Sequence, residues 1–167
     1  AVMDAFTAGF DQNPHRLDPT DADELLEEWL QHSGRLGNGQ TLTDGQLALY
    51  REMTTGSDLT GMVVGSAGSG KTTALDAVRY ALGSRGITVY GVSTSAIATQ
   101  GLKDAARIDG STVAKLLARI AFATDPAHPA RQRVDQLVST GSEQDRRRAA
   151  AIRYAYALPP MDHLVVD

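Results

Sequence analysis

Apolar residues along this chain alternate between a helical spacing and short continuous runs, in the order expected of an α/β protein. Apolar positions three and four residues apart predict helices at about 20–31, 41–55 and 73–82. Short β-branched runs predict strands at 62–64 and 87–92. Because strands that alternate with helices favour a parallel sheet with right-handed crossovers, we expect a three-layer α/β fold with a mainly parallel sheet.

The second half of the chain continues this pattern with more helix and one more strand. Helices are predicted at about 96–106 and 112–118. A longer helical stretch is predicted at 131–157, with Gly141 as a candidate break. A last apolar run, 163–167, predicts a strand that ends in an aspartate.

A glycine-rich stretch near residue 40 separates an acidic first part from the rest. Residues 1–60 carry 3 basic and 11 acidic side chains, whereas residues 61–167 carry 13 basic and 9 acidic ones. The second part is therefore the one suited to polyanions. We place the main boundary near residue 40, with an acidic helical connection at 1–40 and the main domain at 41–167.

Composition narrows the possible chemistry. The chain has 167 residues, of which 42% are hydrophobic, and it contains no cysteine. Disulfides and cysteine-based zinc sites are therefore excluded, and a cytoplasmic protein is the expectation. No apolar run approaches the ~20 residues of a membrane span, so no membrane insertion is expected. Because the chain begins at Ala1 and stops directly after an apolar run, we expect a segment of a longer protein.

One glycine-rich stretch organises everything else. Residues 65–72 read GSAGSGKT, which fits the phosphate-binding pattern GxxxxGK[ST]. Glycines let backbone N–H groups converge on one anion, and the following helix directs its positive dipole end at the same phosphates. The flanking strand and helix supply the context that the motif requires. The predicted nucleotide-binding residues here are Gly65, Ser66, Ala67, Gly68, Ser69, Gly70, Lys71, Thr72 and Thr73.

Two side chains of this loop and one distant carboxylate are the predicted metal-binding and catalytic residues. Lys71 would reach the β- and γ-phosphates of a nucleotide, and the Thr72 hydroxyl would bind Mg²⁺. Asp167 ends an apolar strand, the position from which a carboxylate joins the Mg²⁺ shell in such sites. We therefore predict a nucleotide and Mg²⁺ as ligands, Thr72 and Asp167 as metal ligands, and Lys71 and Asp167 as catalytic residues.

Three further features admit a structural explanation beside a functional one. Thr43 and Gln46 have the spacing of a capping box, and capping alone would account for the glutamine. The three arginines at 146–148 favour a solvated helix face, with a phosphate contact as the alternative. Tyr154 and Tyr156 share one helix, and we expect them to be packing residues rather than nucleophiles.

Taken together, the motifs resemble superfamily 1 DNA helicases of the exonuclease V alpha-subunit type. The pieces that carry the resemblance are LTDGQ, GSAGSGKTT, VSTSAIATQGL, TVAKLL and HLVVD, and they cover about residues 41–167. More narrowly, the pattern is similar to the helicase part of conjugative relaxases of the MobF class. The resemblance implies a RecA-like P-loop NTPase fold, truncated after the Walker B strand that ends in Asp167. It also implies ATP as the nucleotide and a parent that hydrolyses ATP to translocate along single-stranded DNA.

The resemblance also implies roles for residues outside the loop. Gln46 is similar to the glutamine that reads adenine, and a side-chain amide suits that role because it can both donate and accept. Thr94 and Ser95 match the DNA-contacting motif after the second strand, and Thr112 and Lys115 match a further motif at a helix start. The implied partners are single-stranded DNA and the rest of the same polypeptide, including a second motor domain.

The sequence departs from these helicases in several respects. Ser93 stands where many of them have proline, and the histidines of the relaxase nuclease are missing. In these helicases a catalytic glutamate follows the aspartate that corresponds to Asp167, at a position after the last residue of the sequence. We therefore expect the 167 residues to bind ATP but not to hydrolyse it by themselves. Two rivals stay open: a P-loop ATPase outside the helicases, and a degenerate helicase copy that serves as a single-stranded DNA-binding scaffold.

Overall fold

The computed structural model describes residues 13–34, 36–37, 40–58 and 68–166, and these ranges contain seven helices and three strands. The elements are α1 Pro19–His32, α2 Asp44–Thr55, α3 Lys71–Ser84, β1 Val89–Ser93, α4 Ala96–Ala106, β2 Gly110–Thr112, α5 Val113–Thr124, α6 Pro129–Ser139, α7 Glu143–Tyr156 and β3 His163–Val166. All strand pairs are parallel, in the order β2-β1-β3. The predicted α/β fold with a parallel sheet is confirmed, while the strand predicted at 62–64 lies outside the described residues.

The central strand β1 is buried along its whole length, and its two faces meet different helices. Val89 belongs to the main core, which α1, α2, α3 and α4 build on one side. Tyr90 and Val92 point to the other side, where they pack against Leu116 of α5. Helices therefore cover both faces of the sheet, which is the three-layer arrangement that buried parallel strands require.

The main core holds α1 against α3 through a buried polar contact as well as apolar packing. Asp76 of α3 has no exposed surface. Its Oδ2 accepts a hydrogen bond from the Trp29 indole Nε1–H at 3.2 Å, and its Oδ1 accepts one from Arg79 at 3.2 Å. A buried carboxylate is tolerated when it is paired and hydrogen-bonded in this way. The helix of the acidic first segment thus packs inside the main core, and the domain boundary near residue 40 stays a prediction.

The hairpin of α6 and α7 has a small core of its own. Val134 and Leu137 of α6 pack against Ala149 of α7, with Ile152 partly buried beside them. Gly141 separates the two helices with a φ of 74°, a left-handed value that favours glycine. The predicted break at Gly141 is confirmed.

Several elements differ from the pattern along the sequence. The helix predicted at 112–118 begins at Val113, because Thr112 is its N-cap and ends β2, and it continues to Thr124. The sequence does not predict β2, because three residues are too few to show an alternation; pairing with β1 creates this strand. The structure begins β1 at Val89, whereas the apolar run predicted a start at residue 87. In the described part of the chain, no helix combines the length and the apolar composition that crossing a membrane requires.

Candidate nucleotide site

The glycine-rich loop enters α3 through a left-handed backbone. Gly68 has a φ of 78° and Gly70 a φ of 75°, values that residues with a side chain rarely adopt. A Cβ at Gly70 would also overlap Nε2 of Gln46, so this position needs glycine for both reasons. The first three residues of the motif, Gly65, Ser66 and Ala67, lie outside the described residues.

The start of α3 presents backbone N–H groups without a side-chain cap. Its N-cap is Gly70, and its first turn contains no acidic residue. Each of the other six described helices has a side chain that caps its first turn, namely Asp18, Thr43, Ser95, Thr112, His128 or Ser142. A helix start that has no side-chain cap and no carboxylate in its first turn favours an anion.

The side chains at this helix start fit a nucleotide phosphate with its metal ion. Lys71, Thr72 and Thr73 form the first turn of α3, and all three are partly buried. A lysine suits a phosphate as a point charge, and a threonine hydroxyl is an oxygen ligand of the kind that Mg²⁺ prefers. Together with the left-handed glycines, these residue types match what a phosphate site needs.

Gln46 joins the start of α2 to the glycine loop. The side-chain Oε1 of Gln46 accepts a hydrogen bond from the backbone N–H of Thr43 at 2.9 Å. The backbone N–H of Gln46 donates in return to Thr43 Oγ1 at 3.4 Å. This is the capping box that the spacing predicted, and it is confirmed. At the other end of the same amide, Nε2 donates to the carbonyl oxygens of Gly70 at 3.2 Å and Ser69 at 3.4 Å.

The two ends of the Gln46 amide therefore have different protein partners. A side-chain amide has two donors and two acceptor lone pairs, and here the donors face the loop while the oxygen faces the helix cap. Contact with the loop backbone was not foreseen from the sequence, since the residues lie 24 positions apart. The adenine-reading role stays a prediction, and it would use the remaining acceptor site or replace the loop contact.

The four residues predicted to contact DNA lie at one edge of the sheet. Ser93, which ends β1, aligns with Thr112, which ends β2. Ser95 Oγ then caps α4 by accepting from the Ala98 N–H at 3.1 Å, and Thr112 Oγ1 caps α5 by accepting from the Lys115 N–H at 3.2 Å. Each hydroxyl still has its own hydrogen to donate.

Exposure at this edge differs from residue to residue. Thr94 and Lys115 are exposed, whereas Ser93 is fully buried and its hydroxyl bonds to the Ser95 carbonyl oxygen at 2.7 Å. Thr99 shares that network, at 2.8 Å from Ser93 Oγ. The serine that replaces proline thus braces the turn after β1 from inside, and the neighbouring residues face solvent.

The carboxylate predicted at the end of the last strand can be followed only to its neighbour. β3 ends at Val166, which aligns with Val92 of β1, one residue before the end of that strand. Asp167 lies outside the described residues. Within the described ranges, no group of three or more histidine, aspartate or glutamate side chains could hold a metal ion.

One expectation about the tyrosines of α7 is wrong. Tyr154 was expected to be a packing residue, but its side chain is 85% exposed. Tyr156 does pack: its ring stacks on Phe122 with centroids 4.9 Å apart, and His128 meets it edge-on at 5.4 Å. Two positions on a helix face different directions, and only the neighbouring helix α5 decides which one is covered.

Comparison with known proteins identifies one family. A family model described as an AAA domain matches residues 41–156, which is more than half of the chain. No curated protein matches the chain, and no solved structure does.

Proposed function

The chain belongs to the AAA domain family, a helicase-like family of P-loop ATPases, and from that premise we propose that it is the ATP-binding part of a motor on single-stranded DNA. P-loop domains of this family generally bind ATP with Mg²⁺ and hydrolyse nucleotide. The observation that carries the proposal is the start of α3, where two left-handed glycines precede an uncapped helix and Gln46 braces the loop.

In the proposed mechanism, the residues of this chain position the reacting groups and stabilise charge. Bound Mg–ATP supplies the phosphoryl group that passes to water, a reaction that needs little covalent work from the protein. Lys71 would hold the β- and γ-phosphates, and the Thr72 hydroxyl would hold Mg²⁺ together with Asp167. The amides at the start of α3 would bind the same phosphates through their N–H groups.

The DNA part of the proposal rests on the edge of the sheet where β1 and β2 end. Ligands of open α/β sheets bind outside the carboxyl ends of the strands. Because α3 leads through a short turn into the start of β1, its own start lies towards the same edge. The phosphates of a single strand would then bind along a track formed by Thr94, Ser95, Thr112 and Lys115. This track would lie near the nucleotide site, so that conformational changes at the nucleotide could alter it.

We also propose the finer assignment that the resemblance implies. The parent would be a conjugative relaxase with a helicase part, in which residues 41–167 begin the first motor domain and residues 1–40 connect it to what precedes. The family match starts at residue 41, which is compatible with that boundary. Motifs spread over the matched range support this assignment, and the sequence of the parent would test it.

Calorimetry with ATP and Mg²⁺ tests the nucleotide site. Lys71→Ala should lower the affinity at least tenfold, because it removes the cation from the phosphates. Lys103→Ala is the matched control, since it removes an exposed lysine of α4 that pairs with Asp109. Equal affinity in all three proteins would show that the site lies elsewhere.

The ratio of ATP to GTP affinity tests the role of Gln46. Gln46→Ala should lower that ratio if the amide reads adenine. Thr43→Ala removes one half of the capping box and leaves the glutamine, at a cost of about 1 kcal/mol in stability. If both variants keep the ratio of the wild type, Gln46 acts only as a brace between α2 and the loop.

Phosphate release separates the motor from the scaffold that is its rival. With saturating single-stranded DNA, we expect turnover by the parent and none by these 167 residues alone, because the resemblance implies that a second motor domain would contribute groups that stabilise the transition state. A parent that binds ATP but never hydrolyses it would favour the scaffold. Turnover by the 167 residues at the rate of the parent would show that the catalytic groups are misassigned.

A further inference from the structure

Positive charge is concentrated in one part of the fold. The segment 113–156, which forms α5, α6 and α7, carries eight basic and four acidic residues, net +4. The rest of the chain carries eight basic and sixteen acidic residues, net −8. That negative charge lies in residues 1–60, since the remaining residues 61–112 and 157–167 are balanced. A polyanion that approaches this protein is therefore attracted to α5–α7 and repelled by the acidic first part.

The outward side of α7 combines arginines with a solvent-facing ring. Ala149 and Ile152 face α6, and the opposite side of the helix is exposed. We call this side the α7 outer face, and its residues are Arg146, Arg147, Ala150, Ala151, Arg153 and Tyr154. Arg146 and Arg153 are seven residues, or two helical turns, apart, and so are Arg147 and Tyr154, so each pair shares one stripe of the helix.

The charges on this face are available to a ligand. Arg147 pairs with Glu143 in an exposed contact of low strength, whereas Arg146 and Arg153 form no ion pair with any described residue. The two alanines between them leave the surface flat, so that a ligand can approach the helix closely. Tyr154 lies beside Arg153 and makes no ring contact within the described ranges, although an exposed ring of this size has apolar area to bury.

The end of α7 that carries Tyr154 is held in place from beneath. Arg119 of α5 donates from Nε to the carbonyl oxygen of Ala155 at 3.4 Å and from Nη1 to the Tyr90 hydroxyl at 3.3 Å. Tyr156 stacks on Phe122 of α5, and the guanidinium of Arg131 lies 6.0 Å from the centre of the same Phe122 ring. The exposed ring therefore stands on a fixed helix end, which lowers the entropy cost of stacking a ligand on it.

We propose that the α7 outer face is a second contact for single-stranded nucleic acid, in which Arg146 and Arg153 bind backbone phosphates and Tyr154 stacks on a base. An exposed aromatic ring between guanidinium groups suits unpaired bases, because stacking needs a free base face and tolerates any sequence. An acidic protein surface would pair with the arginines but would offer no stacking partner to the Tyr154 ring. The proposal rests on the single-strand partner proposed above and on none of the residues of the nucleotide site.

Fluorescence anisotropy of the whole chain with a labelled oligothymidylate, without nucleotide and over a series of salt concentrations, tests the proposal. Removing both phosphate contacts in the double variant Arg146→Ala/Arg153→Ala should lower the slope of log affinity against log salt by about 1.4. Tyr154→Ala should weaken binding roughly 5- to 150-fold, while Tyr154→Phe keeps the ring and the affinity.

Matched controls separate a contact surface from net charge and from the edge of the sheet. Arg51→Ala/Arg85→Ala removes the same charge from exposed arginines that pair with α1, and it should leave the salt slope unchanged. Thr94→Ala/Lys115→Ala tests the proposed track at the ends of β1 and β2. Circular dichroism of each variant verifies that it is folded.

The outcomes distinguish the two proposals. Wild-type binding by the α7 variants, with a loss only in Thr94→Ala/Lys115→Ala, would overturn the α7 contact and leave the track. A loss only in the α7 variants would support the α7 contact and remove the track. Equal losses in the α7 variants and in Arg51→Ala/Arg85→Ala would reduce the effect to net charge and overturn the contact. Salt-sensitive self-association that the α7 variants abolish, without any DNA binding, would mean that the face binds the acidic side of another copy instead.

Discussion

Two regions of this molecule use charge in opposite ways. In the main core, Asp76 is completely buried and satisfied by Trp29 and Arg79, and around it α1, α2 and α3 bury a continuous set of apolar side chains. In the α6–α7 hairpin the buried set is small, and its charged side chains lie at the surface. In the main core a buried charged side chain joins two helices, whereas in the hairpin the charged side chains are exposed and accessible to a ligand.

The difference follows from how each region is attached. α3 packs against α1, α2, α4 and β1, and its start is the proposed phosphate site. The hairpin packs mainly on itself and contacts the rest through α5. We therefore expect damage in the main core to reach the nucleotide site, and damage in the hairpin to remain local.

The largest expected effect comes from Asp76→Ala. Removal of the carboxylate leaves the Trp29 N–H and the Arg79 guanidinium without their buried acceptor, so we expect a loss of about 3–5 kcal/mol in the free energy of unfolding. Urea denaturation followed by circular dichroism measures it. Asp145→Ala is the matched aspartate in the hairpin, where it is partly exposed and pairs with Arg148. If the two variants lose the same stability, the contrast between the regions is wrong.

A leucine deletion in each region sharpens the contrast at a smaller scale. Leu137→Ala in α6 should cost about 2 kcal/mol, the low end of the usual range, because a small core near the surface can relax around the gap. Leu75→Ala in α3 starts from a similar exposure, 7% against 6% for Leu137, and should cost more.

The two leucine variants should also differ in how much of the structure each one destabilises. Hydrogen exchange should become faster in α6 and α7 for Leu137→Ala, with unchanged affinity for ATP. Leu75→Ala should raise exchange in α1, α2 and α3 together and weaken ATP binding. A change of ATP affinity in Leu137→Ala would show that the hairpin is coupled to the nucleotide site.

The smallest effect concerns pH, and it too should separate the regions. Burial lowers the pKa of His163 below its ordinary value of 6.5, the nearby His15 ring lowers it further, and Asp162 opposes the shift. Its Nε2 is buried and has no hydrogen-bond partner among the residues that the structure describes. Because the folded state favours neutral His163, its contribution is present above pH 6.5 and is lost as the pH falls through the lower pKa.

The corresponding group in the hairpin titrates in a more acidic range. Hydrogen bonds from Ser142 and Thr140 and the charge of Arg148 lower the pKa of Asp145 below its ordinary 3.8. That contribution is present above pH 3.8 and disappears only in stronger acid. Stability curves against pH should thus show a step just below pH 6.5 in the wild type that His163→Gln removes and Asp145→Asn keeps. Persistence of the step in His163→Gln would assign it to another histidine.

Much of the local structure was determined by the sequence itself. The capping box of Thr43 and Gln46, the break at Gly141 and the helix after the glycine loop were all predicted and are present. These features depend on residues within a few positions of one another, since side-chain caps, left-handed glycines and helical spacing act over one or two turns. The type of element and the likeness to P-loop proteins follow from such local signals.

Only the tertiary structure determined the hydrogen bonds and strand pairing between residues that are far apart in sequence. The bond from Gln46 to Gly70, the pairing of Asp76 with Trp29 and the short strand β2 join residues 19 to 47 positions apart along the chain. The opposite exposures of Tyr154 and Tyr156 depend in the same way on where α5 lies. Residue type can state that a group needs a partner, but which partner it meets is set by the packing of helices on the sheet, and that packing is a property of the whole chain.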